Sequence, residues 1–350
     1  MITKYLLVDK NVDNLETYPQ IQEAAALLRK NEVVAFPTET VYGLGGNANS
    51  DEAVVKIYEA KGRPSDNPLI IHIAETEQLN DFVDEIPEQA QKLIDKFWPG
   101  PLTIIFKRKD GALSDKVTAG LPTVAVRMPD HPVALAIIKA AQLPIAAPSA
   151  NRSGKPSPTT AAHVREDLDG RIAAIVDGGP TGIGVESTVL DCTVEVPVIL
   201  RPGGVPREEI EAVIGKVAMD PALTGAEEAP KSPGMKYTHY APEAPLYLVE
   251  GGPEAIQELA DEKRRAGLKV GVLTTEENAR FYEADVVLPC GRRSEPETVA
   301  AMLYKVLRQF NASGVDIIFS ETFPEKGVGE AVMNRLFKAA GHKVIGKKDN

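Results

Sequence analysis

Asp51-Glu-Ala-Val-Val-Lys-Ile-Tyr-Glu-Ala-Lys61 reads as a helix, and Lys61-Gly-Arg-Pro-Ser-Asp-Asn-Pro-Leu69 carries it through a basic loop into the strand-like run Leu69-Ile-Ile-His-Ile73. Ser50, followed by Asp51 and Glu52, supplies a helix start, because a hydroxyl caps the first free N–H groups and acids suit the positive helix end. Val54, Val55, Ile57 and Tyr58 give the buried stripe, and the helix ends near Gly62. Lys61 and Arg63 flank that glycine, at a helix end whose partial negative charge already stabilises cations. A point charge and a planar fork of donors also suit a phosphate or carboxylate, so the loop reads either as a cap or as an anion site.

The same alternation of helix and strand continues outward. Upstream, Asn14 to Lys30 has helical apolar spacing and Val33-Val-Ala-Phe36 reads as a buried strand. Pro37-Thr-Glu-Thr-Val-Tyr-Gly-Leu-Gly-Gly46 then forms a turn-rich segment with two hydroxyls, a carboxylate and a phenol beside three glycines, without the GxGxxG spacing of a dinucleotide loop. Downstream come a polar helical stretch from Glu77 to Phe97 broken by Pro87, a turn at Trp98-Pro-Gly-Pro101, and strands at Leu102–Phe106 and Leu121–Arg127. Thr123 and Arg127 are two pleats apart and share a face.

A helix from His131 to Ala141 leads to the second polar loop, Ala146 to Thr160, whose hydroxyls and amides among few bulky side chains suit either a loop wrapping a ligand through short hydrogen bonds or a plain linker. Strands are expected at Ile172–Val176 and Val185–Leu190, and Pro197 to Gly204 closes a first domain spanning 1–206. Residues 207–244, starting with an acidic helix from Arg207 to Ile214, read as a linker, either a passive tether or, given the two tyrosines, one histidine and two lysines between Lys231 and Pro242, a segment that docks. From 245 to 350, strands near Leu246–Val249, Val270–Thr274, Asp285–Leu288 and Asp316–Ser320 alternate with three helices, the pattern of a small Rossmann-like parallel sheet.

Composition narrows the function classes. The 350 residues are 43% hydrophobic, enough for two cores, and carry a net charge of −11, a poor match for extended nucleic acid. Cys192 and Cys290 stand apart without metal-ligand spacing, which fits a reducing cytoplasm and buried thiols. No signal-peptide core or membrane-length apolar run occurs, so a cytoplasmic protein is expected. GxSxG is absent.

Pro37–Gly45, Lys61-Gly-Arg63 with Asn67-Pro-Leu69, Pro148-Ser-Ala-Asn151, Ser187-Thr-Val189, Leu200-Arg-Pro-Gly203 and Ser232–Pro242, in this order, resemble the long, two-domain threonylcarbamoyl-AMP synthases across nearly the whole chain. The resemblance implies an α/β fold with a twisted mixed-sheet, YrdC-like catalytic domain enclosing a ligand cavity. It implies a cytoplasmic nucleotidyltransferase that joins L-threonine, bicarbonate and ATP, with Mg2+ accompanying the nucleotide and no metal held by the protein alone. The product would serve N6-threonylcarbamoyladenosine formation in tRNA through a downstream tRNA threonylcarbamoyl transferase.

Carried over by position, Thr40, His72, Arg127, Ala147 and Ser187 would form the threonine pocket. Arg63, Asn67, Thr123, Ser149, Asn151, Ser157, Arg201 and Tyr237 would hold ATP, with Lys61 and Arg63 supplying catalytic charge and Tyr237 part of a lid. The rival reading is an RNA-binding module whose groove is lined by Lys61, Arg63, Ser149 and Asn151. Acidity and the lack of interleaved aromatics count against it, and against direct tRNA binding.

Overall fold

Short apolar runs bounded by Gly and Pro set most strands of the computed structural model, which describes residues 1–224 and 239–346. The chain divides into two compact units, one of 1–153, 157–182 and 186–236, the other of 154–156, 183–185 and 237–350.

In the first unit, β1 (Lys4–Leu7), α1 (Pro19–Arg29), β2 (Val34–Phe36), β3 (Gly43–Asn47), α2 (Asp51–Lys61) and β4 (Ile70–His72) are followed by α3 (Leu79–Phe82), α4 (Glu88–Phe97), β5 (Leu102–Lys107) and β6 (Thr123–Arg127). Then come α5 (Pro132–Ala141), β7 (Ile145–Ala146), α6 (Ala161–Leu168), β8 (Ala174–Asp177), β9 (Thr188–Asp191), β10 (Val198–Arg201), α7 (Arg207–Ile214) and β11 (Ala218–Met219). Among the described residues these strands make one mixed sheet in the order β1-β8-β2-β3-β7-β4-β6-β5-β9-β10-β11. The expected mixed-sheet α/β class is what the chain adopts.

Two apolar layers pack on this sheet. One joins Ile71, Ile104 and Val126 of the strands to Ile57 of α2, Leu93 of α4 and Val164 of α6; the other joins Phe36 and Val176 to Leu28 of α1 and Ile137 of α5. Ile70, Ile105 and Ala125 alternate with the strand residues of the first layer and so point from the opposite face. There they form, with Val189 and Leu200, a separate small cluster.

Two elements depart from the sequence reading. The glycine-rich Gly43–Asn47, read as turn, is β3, antiparallel to β2 and β7. Two of its glycines are set by crowding, since a Cβ on Gly45 would lie 2.5 Å from the Phe36 ring and one on Gly46 3.0 Å from Ile57. Beyond Pro206 the expected helix Arg207–Ile214 is α7, which buries Ile210, whereas Ala218–Met219, read as coil, is β11, a parallel strand added to β10 within the first unit.

The second unit contains β12 (Leu246–Val249), α8 (Gly252–Arg265), β13 (Val270–Thr274), β14 (Val286–Pro289), α9 (Pro296–Ser313), β15 (Ile317–Glu321), α10 (Val328–Ala339) and β16 (Val344–Ile345). Its strands are all parallel, ordered β14-β13-β15-β12-β16, as the alternation of strands and helices predicts. Tyr240, from the end of the Ser232–Pro242 motif, stacks on Tyr304 at 5.2 Å within this unit. Among the described residues no helix is long and apolar enough to cross a membrane.

Candidate active site

The candidate residues converge because of strand register. His72 of β4 pairs with Arg127 of β6 and Ile70 with Ala125. Across β6 and β5, Ala125 faces Ile105, while Val189 of β9 faces both Thr103 of β5 and Arg201 of β10. Period-two alternation puts His72, Thr103, Thr123 and Arg127 on one face around the apolar patch, and the register shift between Ile199 and Arg201 brings Arg201 onto that face beside Leu200.

At one end of this face Arg127, 4% exposed, donates from Nη1 to Thr40 Oγ1 at 3.0 Å and from Nε to Gly100 O at 3.3 Å. Thr40 is fixed in turn by Thr38, 2.8 Å away between hydroxyl oxygens. His72 Nδ1 lies 3.1 Å from Ile70 O, a contact in which the nitrogen must donate. Burial, helped by the Arg127 charge and opposed by backbone carbonyls, pushes the His72 pKa down to about 3, so the ring is neutral near pH 7 and offers Nε2 as an acceptor.

Ser187 joins this group through the adjoining strands. Its Oγ is 2.7 Å from Thr103 Oγ1, and Arg201 donates from Nη2 to Ser187 O at 2.9 Å and to Ser187 Oγ at 3.2 Å. Gly203 makes that contact possible: a Cβ there would sit 2.3 Å from Ser187 C and Thr188 N. Ser157 donates to Glu186 Oε1 at 2.6 Å, on the residue preceding Ser187.

At the other end lie the basic loop and the 147–151 loop. Lys61 is 3% exposed, and its ammonium reaches Ser149 O at 2.5 Å, Asn151 O at 2.8 Å and Asn151 Oδ1 at 3.4 Å. Desolvation, with the Arg63 charge second, holds the Lys61 pKa well below the ordinary lysine range. Ser149 Oγ also donates to Asn151 Oδ1, at 2.6 Å, and Ala147 N donates to Ile70 O at 2.9 Å, tying the loop to β4. Helix α2 ends in the left-handed Gly62, and the cation on its end is Arg152, which donates to Ala60 O at 2.9 Å. Lys61 thus braces the opposite loop instead of capping its own helix.

Arg63 donates to Asn67 O at 3.1 Å and lies over the Tyr58 ring. Asn67 is 2% exposed, and its Nδ2 has no hydrogen-bond partner among the described residues. Thr123 opens β6 beside this end. Since Lys61 and Asn151 are buried, they do not join Arg63 and Ser149 in an open basic groove. Tyr237 lies outside the described residues.

The sequence reading assigns no role to Glu39, Thr103, Glu186 or Arg152. Glu39 is visible as the one carboxylate of Pro37–Gly46, but only tertiary structure brings its Oε2 to 2.5 Å from Arg127 Nη2. Thr103 and Arg152 carry no local signal, because their partners are 84 and 92 residues away.

A family model described as "Telomere recombination" matches residues 26–203, and one described as "Threonylcarbamoyl-AMP synthase, C-terminal domain" matches 205–341. The chain is 63% identical over 345 residues to the threonylcarbamoyl-AMP synthase of Bacillus subtilis, covering 99% of this chain and 100% of that one. It is 52% identical over 331 residues to that of Pyrococcus abyssi, covering 93% and 95%. The crystal structure of P. abyssi Sua5 complexed with L-threonine superimposes with a TM-score of 0.92 at 50% identity, covering 99% of this chain and 100% of the other. By both halves and along its whole length, the chain belongs to the threonylcarbamoyl-AMP synthases, a family of nucleotidyl-transferring enzymes.

Proposed function

We propose that the protein condenses L-threonine, bicarbonate and ATP into threonylcarbamoyl-adenylate and pyrophosphate, as the first step towards N6-threonylcarbamoyladenosine in tRNA. The observation carrying this reading is the face of β4, β6, β5, β9 and β10, where two polar ends flank the patch of Ile70, Ile105, Ala125, Val189 and Leu200. L-threonine is assigned to Thr40, His72, Arg127 and Ser187 at one end, with Ala147 from the 147–151 loop. ATP is assigned to Arg63, Asn67, Thr123, Ser149, Asn151, Ser157, Arg201 and Tyr237. That the P. abyssi relative forms a complex with L-threonine supports L-threonine as a substrate.

In this arrangement Arg127 suits the amino acid's carboxylate, while Thr40, Ser187 and the neutral His72 offer partners to its hydroxyl and amine. The carbamate formed from the amine and bicarbonate attacks the α-phosphorus of ATP; a new P–O bond forms as the bond to the β-phosphate oxygen breaks. The chain's task is to align two anions and offset their charge. Arg63 and Arg201 contribute cations, and Lys61 adds field while holding Ser149 and Asn151 in place. The buried Asn67 Nδ2 and these cations fit an anionic phosphate chain, and Mg2+ bound to it would neutralise the leaving pyrophosphate. The adenylate would pass to a downstream tRNA threonylcarbamoyl transferase.

The test is pyrophosphate release on mixing the protein with ATP, Mg2+, L-threonine and bicarbonate. Release should require both threonine and bicarbonate; release independent of threonine overturns the proposal.

A further inference from the structure

Arg127 and Glu39 present two unmet needs of opposite sign in one place. Arg127 Nη2, buried on a side chain whose Nε and Nη1 are already engaged, has no hydrogen-bond partner among the described residues. Neither oxygen of Glu39, whose side chain is 12% exposed, has one either. The two groups touch, with Nη2 and Oε2 2.5 Å apart, yet no N–H is aimed along that line, so the contact is an ion pair without a hydrogen bond. Buried charges left with unmade hydrogen bonds are costly, and a charged ligand of the right shape removes that cost. An orphaned guanidinium N–H beside an orphaned carboxylate is the complement of a zwitterion.

We infer that Glu39 receives the α-ammonium group of L-threonine while Arg127 receives its carboxylate, and that Glu39 then takes one proton from that ammonium. This rests on the proposed synthase reaction and deepens it. The transfer is R–NH3+ plus Glu39–COO− giving R–NH2 plus Glu39–COOH. The freed lone pair attacks the carbon of bicarbonate; loss of water leaves R–NH–COO−, whose oxygen is the nucleophile for ATP. Without such a base a bound ammonium has no lone pair to react. The geometry supports this choice: Glu39 is one residue from Thr40, which itself holds Arg127, so the acid, the hydroxyl and the guanidinium are positioned as one unit.

The experiment compares wild type with E39Q by calorimetric titration of L-threonine and of its 2-hydroxy analogue, 2,3-dihydroxybutanoate, which lacks the ammonium. Glutamine keeps the shape and removes the charge. E39Q should bind L-threonine at least tenfold more weakly and bind the analogue as the wild type does. The pH profile of threonine-dependent pyrophosphate release supplies the second readout: kcat/KM of E39Q should climb towards the wild-type value as pH rises and solution supplies free amine. Equal weakening for both ligands, or a flat pH profile, would show that Glu39 only positions Arg127 and would overturn the inference. Unchanged L-threonine binding by E39Q would overturn it too, leaving the synthase reading intact. Wild-type protein that does not bind L-threonine, with or without ATP, would defeat both.

Discussion

His72 and Arg127 stand opposite each other across the parallel pair β4–β6, so a neutral acceptor and a fixed cation open onto the same face. The Arg127 charge contributes to keeping His72 neutral, and the strand pairing fixes the spacing between their backbones.

Arg127→Lys is expected to behave as a loss of the residue. A lysine cannot reproduce the fork that meets Gly100 O and Thr40 Oγ1 together. Apparent affinity for L-threonine should fall at least tenfold while ATP affinity stays within about twofold; Arg63→Ala should show the converse pattern. Calorimetry with each substrate separately checks both, and equal losses for both substrates in Arg127→Lys would contradict the division of the site.

Lys61→Met tests whether this lysine is a brace. The substitution keeps most of the volume but leaves Ser149 O and Asn151 O without the ammonium they share. Burying such carbonyls unmet costs about 1–3 kcal/mol each. A lower urea midpoint together with weaker ATP binding is expected, with L-threonine binding retained; wild-type stability would show that the contacts are dispensable.

Gly203→Ala isolates a steric requirement. Its Cβ would fall on the backbone of Ser187 and Thr188, which cannot rotate away as a side chain could. Displacing Ser187 should weaken L-threonine binding more than Gly215→Ala does, because a Cβ on Gly215 meets nothing within 4 Å although its positive φ adds strain. Parallel binding curves for the two variants decide it.

Acid should destabilise the protein through its buried histidines. Burial is the largest cause in both cases and pulls His72 to about 3 and His131 to about 4, from an ordinary value of 6.5. As pH falls, the unfolded chain takes up these protons first. Stability is therefore unaffected by them above about pH 6.5 and declines below it, at roughly 1.4 kcal/mol per pH unit per group until the folded-state values are reached. His131 Nδ1 also accepts from Val133 N as the cap of α5, a bond that protonation would remove. His131→Asn keeps a capping acceptor without titrating. Its urea midpoint should match wild type at pH 7.5 and fall less steeply towards pH 5.

The sequence motifs reveal which loops matter, and strand periodicity reveals that Thr123 and Arg127 share a face. What local pattern cannot reveal is pairing across distance. Lys61 sits at a helix end, where a cap is the simplest reading; only the fold brings the loop 88 to 90 residues later within reach of its ammonium. The strand Gly43–Asn47 is hidden because four of its five residues are glycine or asparagine, and of these Gly45 and Gly46 answer to the crowding of Phe36 and Ile57 and not to strand propensity. In the second unit the opposite holds: apolar strands and amphipathic helices repeat regularly, and the parallel sheet follows from their alternation.

That second unit is held at its strand ends by Glu321, 3% exposed, at the end of β15. Its Oε1 accepts from Thr274 Oγ1 at 2.6 Å, Tyr282 Oη at 2.8 Å and Asn278 Nδ2 at 3.0 Å, and its Oε2 accepts from Arg293 Nη2 at 2.5 Å. Four donors, one from β13 and three from the loops that follow β13 and β14, thus share one carboxylate. Glu321→Leu leaves those donors facing an apolar side chain, at about 1–3 kcal/mol for each that stays buried, while Arg293, whose side chain is 38% exposed, turns to solvent at little cost. Hydrogen exchange on the full chain should then show faster exchange across 270–323 with protection of 20–205 retained, because the network lies wholly within the second unit. Uniform loss of protection along both units would mean that Glu321 supports the whole chain's stability and not this unit's alone.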